Sequence, residues 1–168
     1  PHKYIRIIVG VNCICIILIK LGDVYMLHES HEKSKIQISD AITSFVDVYQ
    51  SPNLSLELLE KIKTADILLL PYVDIRGYQN SLFPEQTYQF LTHLMKEAKK
   101  KGLSVDLAIS DEDYKEIQLH GDVINIADVL IQWMLFPVTI NMISSYLYDL
   151  VQQRKKKMNA NIKITVEK

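Results

Sequence analysis

The sequence predicts an α/β fold in which amphipathic helices pack on a mixed, partly parallel β-sheet, with a C-terminal helix pair and a final edge strand. Two patterns lead to this prediction: a strand–helix–strand succession in the middle of the chain, and a long uncharged block near its end that is apolar on one side. The chain has 168 residues, of which 48% are hydrophobic and 23% charged. That composition is globular, and we expect one domain over residues 3–168.

The first third of the chain is predicted to be rich in strands. Residues 4–9, 13–20 and 24–28 carry runs of β-branched and apolar side chains, and a turn is expected at Gly22. Apolar residues then recur at helical spacing over residues 41–49, behind Ser39 as the expected N-cap.

The middle of the chain predicts a βαβ unit. Residues 67–73 form an unbroken apolar run, as expected of a strand buried on both faces, and a short helix precedes it. A helix is predicted over residues 84–101, ended by Gly102, and its inner side is expected to carry Tyr88, Leu91, Leu94, Met95 and Ala98. It leads to an alternating strand over residues 105–109. The two strands are therefore expected to be parallel neighbours. Residues 116–120 alternate again and predict a hairpin partner for the second strand.

The uncharged block has two possible interpretations. No charge occurs from Val129 to Tyr148, so residues 129–151 are long enough to span a bilayer. The polar residues nevertheless follow one side of a helix that begins near Pro137, at Asn141, Ser145, Asp149 and Gln152. A one-sided pattern favours a helix that covers a soluble core. We therefore predict two helices here, over residues 126–135 and 138–157, followed by an alternating edge strand over residues 162–166.

Charge and motif content argue against several functional classes. The formal net charge is −1, and only Arg6, Arg76 and Arg154 are arginines, which disfavours sequence-specific binding of nucleic acid. The sequence lacks a Gly-rich phosphate loop, a G-x-S-x-G elbow and an H-E-x-x-H motif. No cofactor is expected on these grounds. A signal peptide is not evident either, and we expect a cytoplasmic location.

One group of residues is of the type that binds zinc. Cys13, Cys15, His28 and His31 would lie across the predicted N-terminal hairpin, with Cys15 opposite His28. The C-x-C and H-x-x-H spacings are not common in structural zinc sites, and cysteine in an apolar strand usually behaves as a small buried hydrophobic residue. Buried cysteines are therefore the favoured interpretation.

A second candidate site follows from the predicted parallel strands, which end at Val73 and Ser110. Ligands bind beyond the carboxyl ends of such strands, where this chain has polar side chains that could hold Mg²⁺ or phosphate: Asp74, Arg76, Tyr78, Asn80, Asp111 and Asp113. The alternative is that these loops are polar because they face water, and that residues 111–113 form a turn.

The leading functional prediction is a non-catalytic intracellular interaction or regulatory module. Aromatic residues and methionine are enriched at interfaces, and the C-terminal block concentrates them, which predicts a partner or homo-oligomer surface at Trp133, Met134, Phe136, Tyr146 and Tyr148. A small nucleotide- or phosphate-binding enzyme or sensor is the first alternative. A membrane-active effector that inserts residues 129–151 is the second.

The stretch "EIQLHGDVINIADVLIQWMLFPVTINMISSYLYDLV", residues 116–151, resembles modules of uncharacterised bacterial proteins in its pattern. The resemblance covers about a quarter of the chain and implies a bacterial source, but it assigns a role to no residue. The abundance of Lys and Ile is also typical of a host with an AT-rich genome.

Overall fold

The computed structural model describes residues 3–10, 13–17, 35–40, 44–52, 54–72, 81–119, 123–154 and 159–167. The strands in these ranges are β1 (Lys3–Gly10), β2 (Cys13–Ile17), β3 (Lys35–Asp40), β4 (Ile67–Leu70), β5 (Phe83–Pro84), β6 (Val105–Leu107), β7 (Glu116–Ile117), β8 (Val123–Asn125), β9 (Asp128–Gln132) and β10 (Asn159–Glu167). The helices are α1 (Phe45–Tyr49), α2 (Leu56–Lys63), α3 (Thr87–Lys99), α4 (Phe136–Arg154) and a 3₁₀ helix (Trp133–Leu135).

The architecture is α/β, with a mixed and partly parallel sheet, as predicted. The sheet has the strand order β2-β1-β3-β10-β9-β4-β6, and β8 also pairs with β10. Strands β4 and β6 are parallel neighbours connected through α3, which confirms the predicted βαβ pairing. Strand β10 is parallel to β3, β8 and β9, whereas β4 and β9 are antiparallel.

Helices cover both faces of the sheet. Ile67 and Leu69 of β4 belong to one hydrophobic cluster, together with the inner sides of α3 and α4. Leu68, which lies between them, belongs to a second cluster with α1 and α2. Because successive side chains of a strand point to opposite faces, α3 and α4 lie on one face and α1 and α2 on the other. We call these the α3/α4 face and the α1/α2 face.

The last strand is the outermost of the four-strand part β10-β9-β4-β6, in agreement with the prediction of a final edge strand. In the complete sheet, β3 pairs with its outer side. Its apolar residues Ile162, Ile164 and Val166 are buried as the alternation predicts, but Thr165 is buried as well. The polar residues of this strand therefore do not all face water.

The predicted C-terminal helix pair is a single helix. Residues 128–132 form β9, and only a 3₁₀ turn separates this strand from α4. The short run Val129, Leu130, Ile131 is buried on both sides, and such a run has no periodicity that separates a buried strand from a buried helix. Pro137 lies in the first turn of α4, as predicted.

Helix α4 shows the predicted one-sided burial. Ile140, Ile143, Leu147 and Leu150 are buried, whereas Asn141, Asp149 and Gln152 are exposed. Together with the 3₁₀ turn it forms a helical segment, Trp133–Arg154, that is long and apolar enough by length and composition to cross a membrane, and more than half of its most apolar window is buried inside the fold.

Other differences from the sequence-based expectation are local. Ser39 lies within β3, and the N-cap of α1 is Ser44. Residues 116–117 pair with β5 and not with β6. Helix α3 begins at Thr87, after the strand that contains Pro84, and the predicted C-terminal signal is confirmed, since Gly102 adopts a φ of 69° and its amide closes the helix end on Lys99. The strand predicted over residues 24–28 lies outside the described residues.

Candidate functional site: a groove on the α1/α2 face

A groove of about 920 Å³ lies where β9 and β10 end and β4 begins. Its walls are α1, the segment 63–66 between α2 and β4, the segment 132–135 that contains the 3₁₀ helix, and Glu167 at the end of β10. The parallel strands β9 and β10 present their carboxyl ends here, and ligands of α/β proteins bind at such edges. A volume of this size is within the range of ligand pockets.

Helix α1 forms one wall, and a capping box fixes its start. The amide of Asp47 donates to Ser44 Oγ at 3.1 Å, and the amide of Ser44 donates to Asp47 Oδ2 at 2.8 Å. The hydrogen bond from the Ser44 amide and, after it, one from Ser44 Oγ to Asp47 Oδ2 hold the pKa of Asp47 below its usual value. Phe45 anchors the helix in the second hydrophobic cluster, while Val46 is 54% exposed on the groove.

The opposite wall is the 3₁₀ turn after β9. Gln132 ends the strand with an extended backbone, and the chain then turns so that Trp133 and Met134 project from the sheet edge. Trp133 stacks on Phe136, with ring centroids 5.7 Å apart, yet it remains 52% exposed, and Met134 is 76% exposed. Two large apolar side chains are thus held at the groove by a fixed turn.

Charged groups line the floor and rim of the groove. The amide of Phe45 donates to Glu167 Oε2 at 3.4 Å. Burial, and next the charge of Glu167, raise the pKa of the Tyr49 hydroxyl. Asp66 is engaged with the loop that precedes β6, because one of its carboxylate oxygens accepts hydrogen bonds from the amide and the hydroxyl of Ser104. Lys63, at the end of α2, is exposed.

A polar cluster occupies the far end of the same face. Lys163 Nζ lies 3.0 Å from Asp128 Oδ2, and the side chain of Asp128 is 17% exposed. Burial raises the pKa of Asp128, although the charge and hydrogen bond of Lys163 act in the opposite direction. Tyr72 donates from its hydroxyl to the carbonyl of Ile126 at 2.8 Å, and burial, then Asp128, raise its pKa. The register places Asp128 beside Leu70, at the end of β4.

Sequence reasoning did not find this cluster. It assigned Asp128 to a helix, whereas Asp128 and Lys163 face each other only because β9 and β10 are paired. No spacing in the sequence connects two residues that are so far apart in the chain.

The ligand-binding residues predicted at the strand ends are described only in part. Strands β4 and β6 end at the same edge, as the prediction requires, but Asp74, Arg76, Tyr78 and Asn80 lie outside the described residues. Asp111 is exposed. Asp113 closes a turn, since Ser110 Oγ donates to Asp113 Oδ2 at 2.9 Å and the Asp113 amide donates to Ser110 Oγ at 3.2 Å. The ligand-binding prediction stays a prediction.

The predicted zinc ligands are likewise divided. Cys13 and Cys15 lie in β2, where the register pairs them with Gly10 and Ile8 of β1. His28 and His31 lie outside the described residues. Within the part of the chain that the structure describes, no group of three or more His, Cys, Asp or Glu side chains is arranged to hold a metal ion.

The structure does not bring the five predicted interface residues to one surface. Trp133 and Met134 line the groove, and Tyr148 is 38% exposed on α4. Phe136 and Tyr146 are buried. The ring of Tyr146 packs against Phe90 at a centroid distance of 5.1 Å, and burial raises its pKa to about 12. The five aromatic and methionine residues from which the sequence predicts an interface are therefore partly core residues and partly surface residues.

No protein-family model matches the chain, and no curated protein or solved structure is similar to it.

Proposed function

We propose that this protein is a non-catalytic intracellular interaction module that binds a segment of a partner protein in the groove. The observation that carries the proposal is the exposure of Trp133 and Met134 at the wall of a concave site. Tryptophan and methionine are enriched in interfaces, and buried tryptophan side chains are frequent hot spots of binding energy.

The shape of the groove supports a short segment of a partner as the occupant. A volume of about 920 Å³ is within the range of pockets that hold a small ligand, so the groove has room for an anchoring side chain together with its neighbours in a short segment. Around it, the half-buried Tyr49 and the charged residues Lys63 and Glu167 give the apolar walls a polar rim, as in specific interfaces.

The proposal moves the surface that the sequence predicts. The sequence indicates association through two C-terminal helices, whereas the two most exposed residues of the predicted set, Trp133 and Met134, lie in the turn between β9 and α4. Tyr148, which is on the outer side of α4, serves as a matched control because it is a partly exposed aromatic residue outside the groove lining.

Selection of a phage-displayed library of random peptides on the immobilised protein tests the proposal. We expect an enriched peptide motif, and fluorescence anisotropy of the synthesised peptides should give at least a roughly tenfold weaker affinity for Trp133→Ala and for Met134→Ala, as for truncated hot-spot residues. Tyr148→Ala should bind as the wild type does. No enriched motif, or equal affinity for Trp133→Ala, would contradict the proposal.

Light scattering after size-exclusion chromatography tests whether the occupant is a second copy of the chain. If the mass rises with concentration and Trp133→Ala removes the rise, the groove binds another copy. A monomeric wild type that binds the selected peptides assigns the groove to a different partner.

A small nucleotide- or phosphate-binding sensor is a second candidate function, with its site at the opposite edge. The observation that favours it is the parallel pairing of β4 and β6, since the carboxyl end of β4 lies beside Asp128 of the Asp128–Lys163 pair. A shift of the melting temperature by nucleotides with Mg²⁺, abolished in Lys163→Met, would support this candidate. A membrane-active effector has no added support, since residues 129–132 belong to the sheet; liposome flotation tests it directly.

A further inference from the structure

We propose that the group of the partner that enters the groove is a cation: a lysine, arginine or other ammonium side chain with apolar neighbours. This inference rests on the proposed function and specifies the chemistry of the occupant. Glu167 lines the same groove as the aromatic residues Tyr49 and Trp133. A carboxylate beside aromatic rings is a favourable environment for a cation, which is attracted both by the charge and by the ring faces.

The charges of the lining agree in sign with this assignment. Among the lining residues that the structure describes, Asp66 and Glu167 are acidic and Lys63 is basic, so this part of the lining carries a net negative charge. One carboxylate oxygen of Asp66, Oδ2, accepts two hydrogen bonds from Ser104. Glu167 accepts one long hydrogen bond, of 3.4 Å, from the Phe45 amide. The carboxylate of Glu167 is therefore less engaged within the protein than that of Asp66, and it is the better acceptor for a ligand.

The field of Glu167 reaches the interior of the groove. Burial, and next the charge of Glu167, raise the pKa of the Tyr49 hydroxyl. The carboxylate of Glu167 therefore repels a negative charge at the position of Tyr49. An anionic group bound between Tyr49 and Glu167 would meet the same repulsion. A neutral apolar group would cover Glu167 and remove it from water without compensation, which costs free energy.

The aromatic rings are held in place by contacts within the protein. The rings of Phe45 and Tyr49 have centroids 6.1 Å apart, and Trp133 stacks on Phe136 at an interplanar angle of 9°. Tyr49 and Trp133 therefore need little ordering when a ligand binds, which favours binding by side chains that stay partly exposed in the free protein.

Three probes with the same hexyl chain and different head groups test the inference: hexyltrimethylammonium, hexanol and hexyl sulfate. Trp133 is the only tryptophan of the chain, so its fluorescence reports binding at the groove without interference from another tryptophan. We expect hexyltrimethylammonium to bind about threefold tighter than hexanol, and hexyl sulfate to bind more weakly than both, as for a cation at a partly exposed aromatic site.

Two variants of opposite effect sharpen the test. Glu167→Gln keeps an acceptor for the Phe45 amide but removes the charge, so it should abolish the preference for the cation and leave the affinity for hexanol unchanged. Lys63→Met removes the repulsive charge and should strengthen binding of hexyltrimethylammonium. Because the variants are expected to act in opposite directions, a general loss of folding cannot imitate the result.

The outcomes separate this inference from the function on which it rests. If hexanol or hexyl sulfate binds as tightly as the cation, or if Glu167→Gln keeps the preference, the inference is wrong although the groove is a binding site. If no probe changes the fluorescence of Trp133 and no peptide is enriched in the selection, both the inference and the proposed function are wrong.

Discussion

The two faces of the sheet are covered to very different extents. Helices α3 and α4 are 13 and 19 residues long and bury one continuous hydrophobic cluster that extends from β4 to β10. Helices α1 and α2 have 5 and 8 residues and cover a much smaller cluster. The groove lies on the second face, next to the shorter helix.

The α3/α4 face therefore contributes most of the apolar burial, and the α1/α2 face carries the groove of the proposed binding function. Burial of apolar surface is the main favourable term in folding, and most of it is on the α3/α4 face. The short helices of the α1/α2 face leave Val46, Trp133 and Met134 exposed, at a cost that the large cluster can offset. Substitutions on the two faces should therefore differ in their effects on stability and on binding.

The largest expected effect is that of Phe90→Ala on the α3/α4 face. Phe90 is fully buried and its ring packs against Tyr146, so its truncation leaves a cavity and should lower the free energy of unfolding by about 3–5 kcal/mol. Tyr88 lies on the same helix but is 66% exposed, and Tyr88→Ala should change this free energy by less than about 0.5 kcal/mol. Urea denaturation followed by circular dichroism measures both. Equal effects of the two substitutions would contradict the assigned orientation of α3.

Helix α3 also shows how far the sequence determines orientation. The pattern predicts a helix with Tyr88 and Met95 on the inner side, and the structure places both outside, with Thr87 and Phe90 inside. Tyrosine and methionine are compatible with a buried or an exposed position. Apolar periodicity alone therefore does not fix which of two adjacent positions of a helix faces the core. The existence of α3 and its end at Gly102 depend on local signals, and these were predicted.

The candidate groove was accessible to sequence reasoning only in part. The composition of residues 133–148 identified Trp133 and Met134, because an aromatic and a methionine in an uncharged block indicate an interface. The other wall of the groove depends on the contact between Phe45 of α1 and Glu167 of β10, which are 122 positions apart in the chain. Pairing between strands that are distant in sequence is set by tertiary packing, and a single sequence does not encode it in a readable pattern.

A medium effect is expected for the ion pair on the α1/α2 face. Lys163→Met leaves the mostly buried carboxylate of Asp128 without its partner and should lower the free energy of unfolding by about 1–2 kcal/mol. Asp128→Asn removes the charge itself and should be close to neutral at pH 7, because Lys163 is partly exposed and remains hydrated. Denaturation at several pH values distinguishes the two variants.

The pH dependence of that pair has a definite sign. Burial raises the pKa of Asp128 in the folded state above 3.8, so the contribution of this group to stability is complete below the unfolded value and is lost as the pH rises through the folded value. The stability of the wild type relative to Asp128→Asn should therefore decrease as the pH rises through this range. A relative stability that increases with pH would mean that the attraction of Lys163 outweighs burial.

The smallest effect on stability concerns the capping box of α1, and it connects stability to the groove. Ser44→Ala removes the acceptor for the Asp47 amide and should cost about 1 kcal/mol, as for other N-cap serines. Ser55→Ala removes the corresponding acceptor of α2, for the Leu58 amide, and should cost a similar amount. Only Ser44→Ala should also weaken binding of hexyltrimethylammonium, because Val46 and Tyr49 of the groove belong to α1.

In the wild type the pKa of Asp47 is held below 3.8, so its contribution to stability is present above that value and is lost as the pH falls through the folded value. Ser44→Ala should reduce this loss without abolishing it, since the main cause, the backbone amide at position 44, remains. Equal binding by the two serine variants would show that the order of α1 does not determine the shape of the groove.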